Sequence, residues 1–275
     1  MSASAKLASM KPPGLFVYAI LYLAFLYVPV LFLPLFSFND SAFVSFPLAG
    51  FTLRWYRAML ADGALGEALA NSLKVGAVAA ISATLLGLAA ARALTRYRLK
   101  GTSTVLGFVS LPLFIPDIVL GISLLILVNA LSTPLSLSSV IFGHIVLCVP
   151  FALAVLLSRL EGFDPSLEEA SRDLGETAWM TFLRVTLPLA LPGIVASLLL
   201  AFIVSFDEFL IAYFLAGTDA TLPIYIWGEL RFPAKLPIVL ALGAAILVVT
   251  CLLVLVAEWL RNLGRARTTP LAVGA

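Results

Sequence analysis

Residues 168–188 read EEASRDLGETAWMTFLRVTLP, a polar and mostly acidic stretch set between two long apolar runs in a 275-residue chain that is 62% hydrophobic. A tether between two membrane spans needs only a handful of residues. The capped, charged, helix-forming segment 159–188 therefore asks for a partner or a job. Upstream, GFDPSLEEASRDLG supplies Asp164 as N-cap and Pro165 at the first helical position, with acids in the early turns where the helix dipole favours them. Gly175 is the left-handed residue that ends this helix. Thr177 then caps a second helix, on which Trp179, Phe182, Leu183 and Thr186 share a face until Pro188 and Pro192 break the run. Leu167, Ala170 and Leu174 line one side of the first helix, and the small Ala170 and Ser171 let another surface approach closely.

Outward from this stretch the sequence is that of a polytopic membrane protein. Mean hydropathy is +1.10, charged residues make up only 12%, and several apolar runs exceed the roughly 18–20 residues that cross a bilayer. Six spans are expected, with cores at 15–36, 72–94, 105–128, 140–157, 193–215 and 237–260. The first follows Lys6 and Lys11 as a signal peptide would, but its apolar run is too long and no small-residue cleavage site closes it, so it reads as an uncleaved span. This divides the chain into a cytoplasmic segment 1–14, a first span 15–36, a periplasmic segment 37–69, a five-helix core 70–260 and a cytoplasmic tail 261–275. Cys148 and Cys251 sit in apolar runs without metal-spaced partners and read as small hydrophobes.

Orientation follows from the basic residues. With both termini inside, Lys6, Lys11, Arg92, Arg96, Arg98, Lys100, Arg159, Arg172, Arg184, Arg261, Arg265 and Arg267 face the cytoplasm. The outer side keeps Arg54, Arg57, Arg231 and Lys235, with Lys74 at the outer mouth of span two, which is a strong positive-inside asymmetry. The stretch 168–188 is then cytoplasmic. A helix lying on the lipid surface is the bland alternative, and such helices carry lysine and arginine on their polar face because the inner leaflet is anionic. This loop sets Glu161, Asp164, Glu168, Glu169, Asp173 and Glu176 against Arg159, Arg172 and Arg184. Anionic lipid repels it, and a protein partner is the better reading.

Ionisable groups inside spans are costly and by default face a cavity, a partner or a pathway. Asp117 follows Pro116 in span three, and Asp207 with Glu208 interrupts span five. Counted along straight helices at 1.5 Å per residue, Asp117 and Asp207 each lie roughly 21 Å from the cytoplasmic face. His144 comes out near that level and reads as a satisfied packing residue. With Tyr213, Tyr225 and Trp227 toward the outer mouth, Asp117, Asp207 and Glu208 suit an organic cation through ion pairs and cation–π contact. The structural alternative is that Asp117 and Asp207 serve a helix N-terminus, a histidine or a basic residue of a second subunit.

Glu169, Ala170, Ser171 and Gly175, followed by Val185, Leu187 and Pro188, closely resemble the EAA loop of type I ABC importer permeases, with Ser171 and Val185 as conservative departures. The six spans and the position of the loop between spans four and five match as well. Within that family SFNDSAFVSFPLAGFTLRWYRAML, LPLFIPDIVLGISLLIL and SRLEGFDPSLEEASRDLG are similar to the spermidine/putrescine (PotC-like) group. The resemblance implies an all-α integral membrane protein with the type I permease fold. It makes Glu168, Glu169, Ala170, Ser171, Asp173, Leu174 and Gly175 a coupling helix that docks on an ATPase, and Asp117, Asp207, Glu208 and Tyr213 a substrate pathway. The implied setting is the bacterial inner membrane. The implied partners are a second homologous permease, an ATPase dimer carrying ATP and Mg, and a periplasmic binding protein docking on 38–69 and 216–236, with lipid around the spans and no nucleic acid. The implied solute is a polyamine; another small solute (an opine, an amino-acid derivative or an inorganic ion) is the alternative.

No Gly-x-x-x-x-Gly-Lys-Ser/Thr loop occurs, so the chain itself has no such phosphate cradle, carries no cofactor and is no enzyme on this reading. An ion-coupled secondary transporter leaves the elaborated inner loop unexplained. An intramembrane hydrolase fares no better: adjacent residues such as Asp207 and Glu208 point about 100° apart on a helix and make a poor dyad, and one histidine leaves little for a triad.

Overall fold

The computed structural model describes residues 13–97 and 101–265. Lys6, Lys11, Arg98, Lys100 and Arg267 of the orientation argument, and with them most of the expected terminal segments 1–14 and 261–275, lie outside the described residues. Among the described residues the secondary structure is helical, with one isolated bridge between Asn39 and Phe51. Among the described residues five helices are long and apolar enough to cross a membrane: Gly14–Ser37, Gly63–Arg96, Leu137–Glu161, Ala178–Asp207 and Pro233–Leu252. Thr102–Leu113 and Asp117–Ala130 pass the same test as a pair, meet at a bend of 100°, and make a sixth crossing if the two form one broken span.

Two compact units emerge, one of Met1–Asp62 with Gly228–Ala275 and one of Gly63–Trp227. In the first, α1 (Pro13–Ser37) is followed by a turn built on Asn39, whose Oδ1 accepts from the Ala49 amide at 2.8 Å and whose carbonyl accepts from Trp55 Nε1 at 2.9 Å. Short α2 (Arg54–Ala61) follows, held to the end of α1 by Ser37 Oγ and the Tyr56 hydroxyl at 2.7 Å.

The second unit begins with α3 (Gly63–Arg96). Next come α4 (Thr102–Ser110), α5 (Asp117–Ala130) and α6 (Leu137–Glu161). The loop after α6 folds as α7 (Ser166–Asp173) and α8 (Ala178–Thr181), the latter running through a π turn, Phe182–Thr186, into α9 (Leu187–Asp207). Short α10 (Leu210–Leu215) and α11 (Leu222–Glu229) follow. The long α12 (Leu236–Arg265) belongs to the first unit.

Packing in the second unit uses small residues where backbones approach. Ala80, Ala83, Cys148, Ala152 and Ala201 form a buried seam between α3, α6 and α9, the arrangement expected where dispersion packing rather than water expulsion joins helices. At Gly87 an added Cβ would stand 2.9 Å from the Leu153 amide nitrogen, so only glycine permits that crossing. Val75, Leu124, Val140, Leu147, Ile211 and Leu215 belong to a larger cluster.

Two expectations about breaks are corrected. Span three is no straight helix: Pro116 offers no N–H and disfavours helical backbone at Ile115, so α4 and α5 are separate and the rise count from Ser103 to Asp117 does not apply. Pro188 and Pro192, in contrast, do not end the loop helix, since Ala178–Asp207 is one run. The π turn closes with Leu187 N–H bonded to the Phe182 carbonyl five residues back, and this widened turn takes up the clash a proline ring makes with the preceding turn. Span five breaks instead at Glu208, which is extended at φ −72°, ψ 121°.

Candidate functional site

The loop between α6 and α9 is built much as its residues dictate. Asp164 Oδ1 accepts from the Ser166 amide at 3.0 Å, an N-terminal cap that also holds the Asp164 carboxyl below its ordinary value. Gly175 sits at φ +91°. Its amide bonds to the Arg172 carbonyl and the Glu176 amide to Ser171 at 3.3 Å, which is the Schellman pattern. Thr177 caps α8 by accepting from the Met180 amide at 3.3 Å. Arg184 pairs with Glu176, and Arg159 Nη2 donates to the Leu189 carbonyl at 3.1 Å, tying the foot of α6 to α9.

The expected coupling residues divide into two faces. Glu169, Ala170, Asp173, Leu174 and Gly175 are exposed, and Leu174 is 87% exposed, large and apolar. Leu167 shares that outer face. Glu168 and Ser171 turn the other way. Glu168 is buried, accepting from Thr186 Oγ1 at 2.6 Å and from Arg96 Nε at 3.1 Å, with Arg92 Nη1 4.0 Å away. Burial alone would raise its carboxyl, but the Thr186 hydroxyl and the two arginines outweigh that and hold it below the ordinary glutamate value. Ser171 Oγ meets Thr181 Oγ1 at 3.1 Å, so of the two small residues only Ala170 is left on the outer face. The face expected for Trp179, Phe182, Leu183 and Thr186 also splits, because the π turn shifts the register: Thr186 is buried against Glu168, whereas Trp179 is 66% exposed.

The acids expected along the pathway come together at the break in span five. Asp117 and Asp207 both lie within electrostatic reach of Glu208. Glu208 Oε1 accepts from the Ile211 amide at 2.7 Å, capping α10. Asp117 opens α5, where the helix dipole favours it, and makes no capping hydrogen bond. Asp207 and Asp117 are exposed and Glu208 half-buried. Tyr213, 50% exposed, packs on Phe209 at 5.5 Å between ring centroids, and Phe209 meets Trp227 at the same distance. His144 is not fully satisfied: Nδ1 lies 2.7 Å from Ser205 Oγ, but buried Nε2 has no hydrogen-bond partner among the described residues.

Phe209, Ser205, Arg92, Arg96 and Thr186 were missed as site residues by sequence reasoning. For the arginines a signal existed in their i, i+4 spacing at the inner end of span two, on one helix face. For Thr186 none did, since a π turn has no sequence signature.

This architecture is that of known permeases. The chain aligns, at TM-score 0.73 and 16% identity, with a bacterial ABC transporter involved in the import of the acidic polysaccharide alginate, covering 94% of this chain and 98% of that one. It aligns at TM-score 0.69 and 20% identity with a bacterial alginate ABC transporter solved in complex with an alginate pentasaccharide-bound periplasmic protein, covering 94% and 95%. These define the type I ABC importer permease fold. Residues 83–265 match the family described as binding-protein-dependent transport system inner membrane component. The spermidine/putrescine transport system permease protein PotC of Escherichia coli (strain K12) is 36% identical over 86% of this chain and 89% of its own length. The putrescine transport system permease protein PotI of the same strain is 36% identical over 86% of each. PotC of Haemophilus influenzae is 33% identical over 86% of this chain and 91% of its own length. The chain belongs to the family of binding-protein-dependent transport system inner membrane components. It is a multi-pass membrane permease subunit of an ABC importer, a transport component rather than an enzyme.

Proposed function

We propose that this permease carries a polyamine or a related small organic cation inward by alternating access. The observation that carries the reading is the acidic break: Asp117 and Asp207 each within electrostatic reach of Glu208, beside Phe209, Tyr213 and Trp227. Acids grouped next to aromatic faces suit an extended polycation and disfavour an anionic solute. The relatives named for spermidine and putrescine support the same solute class. The exposed face of Glu169, Ala170, Asp173, Leu174 and Gly175 docks on a separate ATPase, which supplies ATP and Mg. A second homologous permease completes the membrane portion, and a periplasmic binding protein delivers solute to the outer segments 38–69 and 216–236. Both termini are cytoplasmic on this reading, in accord with the basic residues.

Uptake of labelled putrescine and spermidine, in cells with and without the chain and with ATPase and binding protein present, tests the solute. Uptake that needs the chain and resists neutral and anionic competitors is expected. Unchanged polyamine uptake in cells where the complex assembles would remove the polyamine reading and leave the permease.

A further inference from the structure

The knot around Glu168 holds more than a static tether requires. Arg92 and Arg96 stand one turn apart on the same face of α3, and both turn toward one carboxylate oxygen. Arg96 Nε bonds to it at 3.1 Å, whereas Arg92 Nη1 stops at 4.0 Å. That Nη1 is buried and has no hydrogen-bond partner among the described residues. A buried guanidinium nitrogen left short of a carboxylate is expensive unless another arrangement uses it. Arg92 is held in waiting by the Phe182 ring, 4.5 Å from its guanidinium carbon. Beside the knot an open cleft of about 870 Å³, lined in part by Thr95, Arg96, Glu168, Glu169 and Arg172, gives α7 room to move.

We infer that Glu168 is a two-position latch, its carboxylate passing from Arg96, now at 3.1 Å, to Arg92, now at 4.0 Å, as α7 makes a small shift along α3. The inference rests on the coupling reading of the loop and assigns Glu168 a different task from its neighbours. Glu169, Ala170 and Leu174 meet the partner, whereas Glu168 acts inward, as a positioning residue that holds the loop in one of two registers relative to span two. Thr186 travels with it, since its hydroxyl grips the same oxygen and it lies at the foot of span five. Shifts of an ångström or two between packed helices are a known form of two-state motion, because packed interfaces are bistable rather than continuously deformable.

The experiment compares Arg92→Gln, Arg96→Gln and Arg92→Lys in the whole transporter, reconstituted in proteoliposomes with its ATPase and binding protein. Solute taken up per ATP hydrolysed is measured, with the amount and melting temperature of the complex. A latch needs both stations, so either glutamine variant is expected to lower uptake per ATP about tenfold, roughly the effect of losing one charge-assisted contact in one state. Arg92→Lys is expected to recover most of it. A static tether predicts the opposite for Arg92, which makes no hydrogen bond in this register: full uptake per ATP in Arg92→Gln, with damage only in Arg96→Gln, overturns the latch. If Arg92→Gln lowers the amount of complex, Arg92→Lys decides, because charge without recovery also overturns it. Glu169→Arg on the exposed face tests the underlying reading separately, since normal uptake there removes the docking surface whatever Arg92 does.

Discussion

Glu168 and Glu208 are both glutamates withdrawn from solvent at breaks between helices, yet their surroundings are opposite. Glu168 is matched by two arginines and a hydroxyl, so its charge is spent inside the protein. Glu208 is matched by backbone N–H at the start of α10, and the charges that act on it are those of the acids Asp117 and Asp207. An amide satisfies the geometry of a carboxylate while leaving most of its charge uncompensated. On the proposed reading Glu168 serves the loop, and Glu208 is left to pair with a cation.

Removing each carboxylate should separate the two roles. Glu168→Ala strands the guanidinium of Arg96 in a buried setting and is expected to cost about 3 kcal/mol, the lower end for a broken buried pair because the arginines are 17–22% exposed. Denaturation of the purified complex in mixed detergent micelles reads this directly. Glu208→Ala loses a helix cap, about 1–2 kcal/mol of stability. Its larger consequence falls on solute, where KM for putrescine is expected to rise by about tenfold or more as a charge-assisted contact is lost. Equal stability losses with unchanged KM would erase the contrast between the two sites. Asp207→Asn, which disturbs no cap, is expected to raise KM by a smaller factor with little change in complex yield. If subunits fail to copurify, Asp207 is structural.

Two smaller effects sharpen the inner half of the comparison. Gly175→Val places a β-branched residue at φ +91° and is expected to cost about 1–2 kcal/mol. If that turn faces the ATPase as proposed, uptake should fall more than stability does. Uptake equal to wild type would detach the turn from coupling. Acid should also act on Glu168: its folded pKa lies below the unfolded one, so its stabilising contribution is complete above the ordinary glutamate range and fades as pH falls through the lowered folded value. The melting temperature of the complex followed across that acidic window should slope less in Glu168→Gln than in wild type.

Local chemistry made much of this legible. The caps at Asp164 and Thr177 and the left-handed Gly175 stand where short-range residue preferences put them, since those preferences need no knowledge of the rest of the chain. The spans were readable for the same reason. The breaks were harder, because proline marks a place where a helix is strained without saying whether a neighbouring turn will absorb the strain. At Pro116 nothing absorbs it and the chain bends by 100°; at Pro188 a π turn does. The break at Glu208 has no proline or glycine, and depends on a carboxylate turning back to bond the next helix. Glu168 read as a docking residue because its place beside Glu169 gives no hint of which way it points. Only the arrival of Arg96 and Thr186 from distant spans decides that.

The π turn at Phe182–Thr186 also sets a phase. One residue more than a plain α-helix carries there advances everything beyond it by about 100° of rotation, and this quarter-twist aims Thr186 at Glu168. Deleting a single residue from that turn would let it wind back to an ordinary helix with its hydrogen bonds intact and its composition scarcely altered. The loop and the span would then be correctly folded and wrongly clocked, so in this segment residue number is as closely constrained as residue identity.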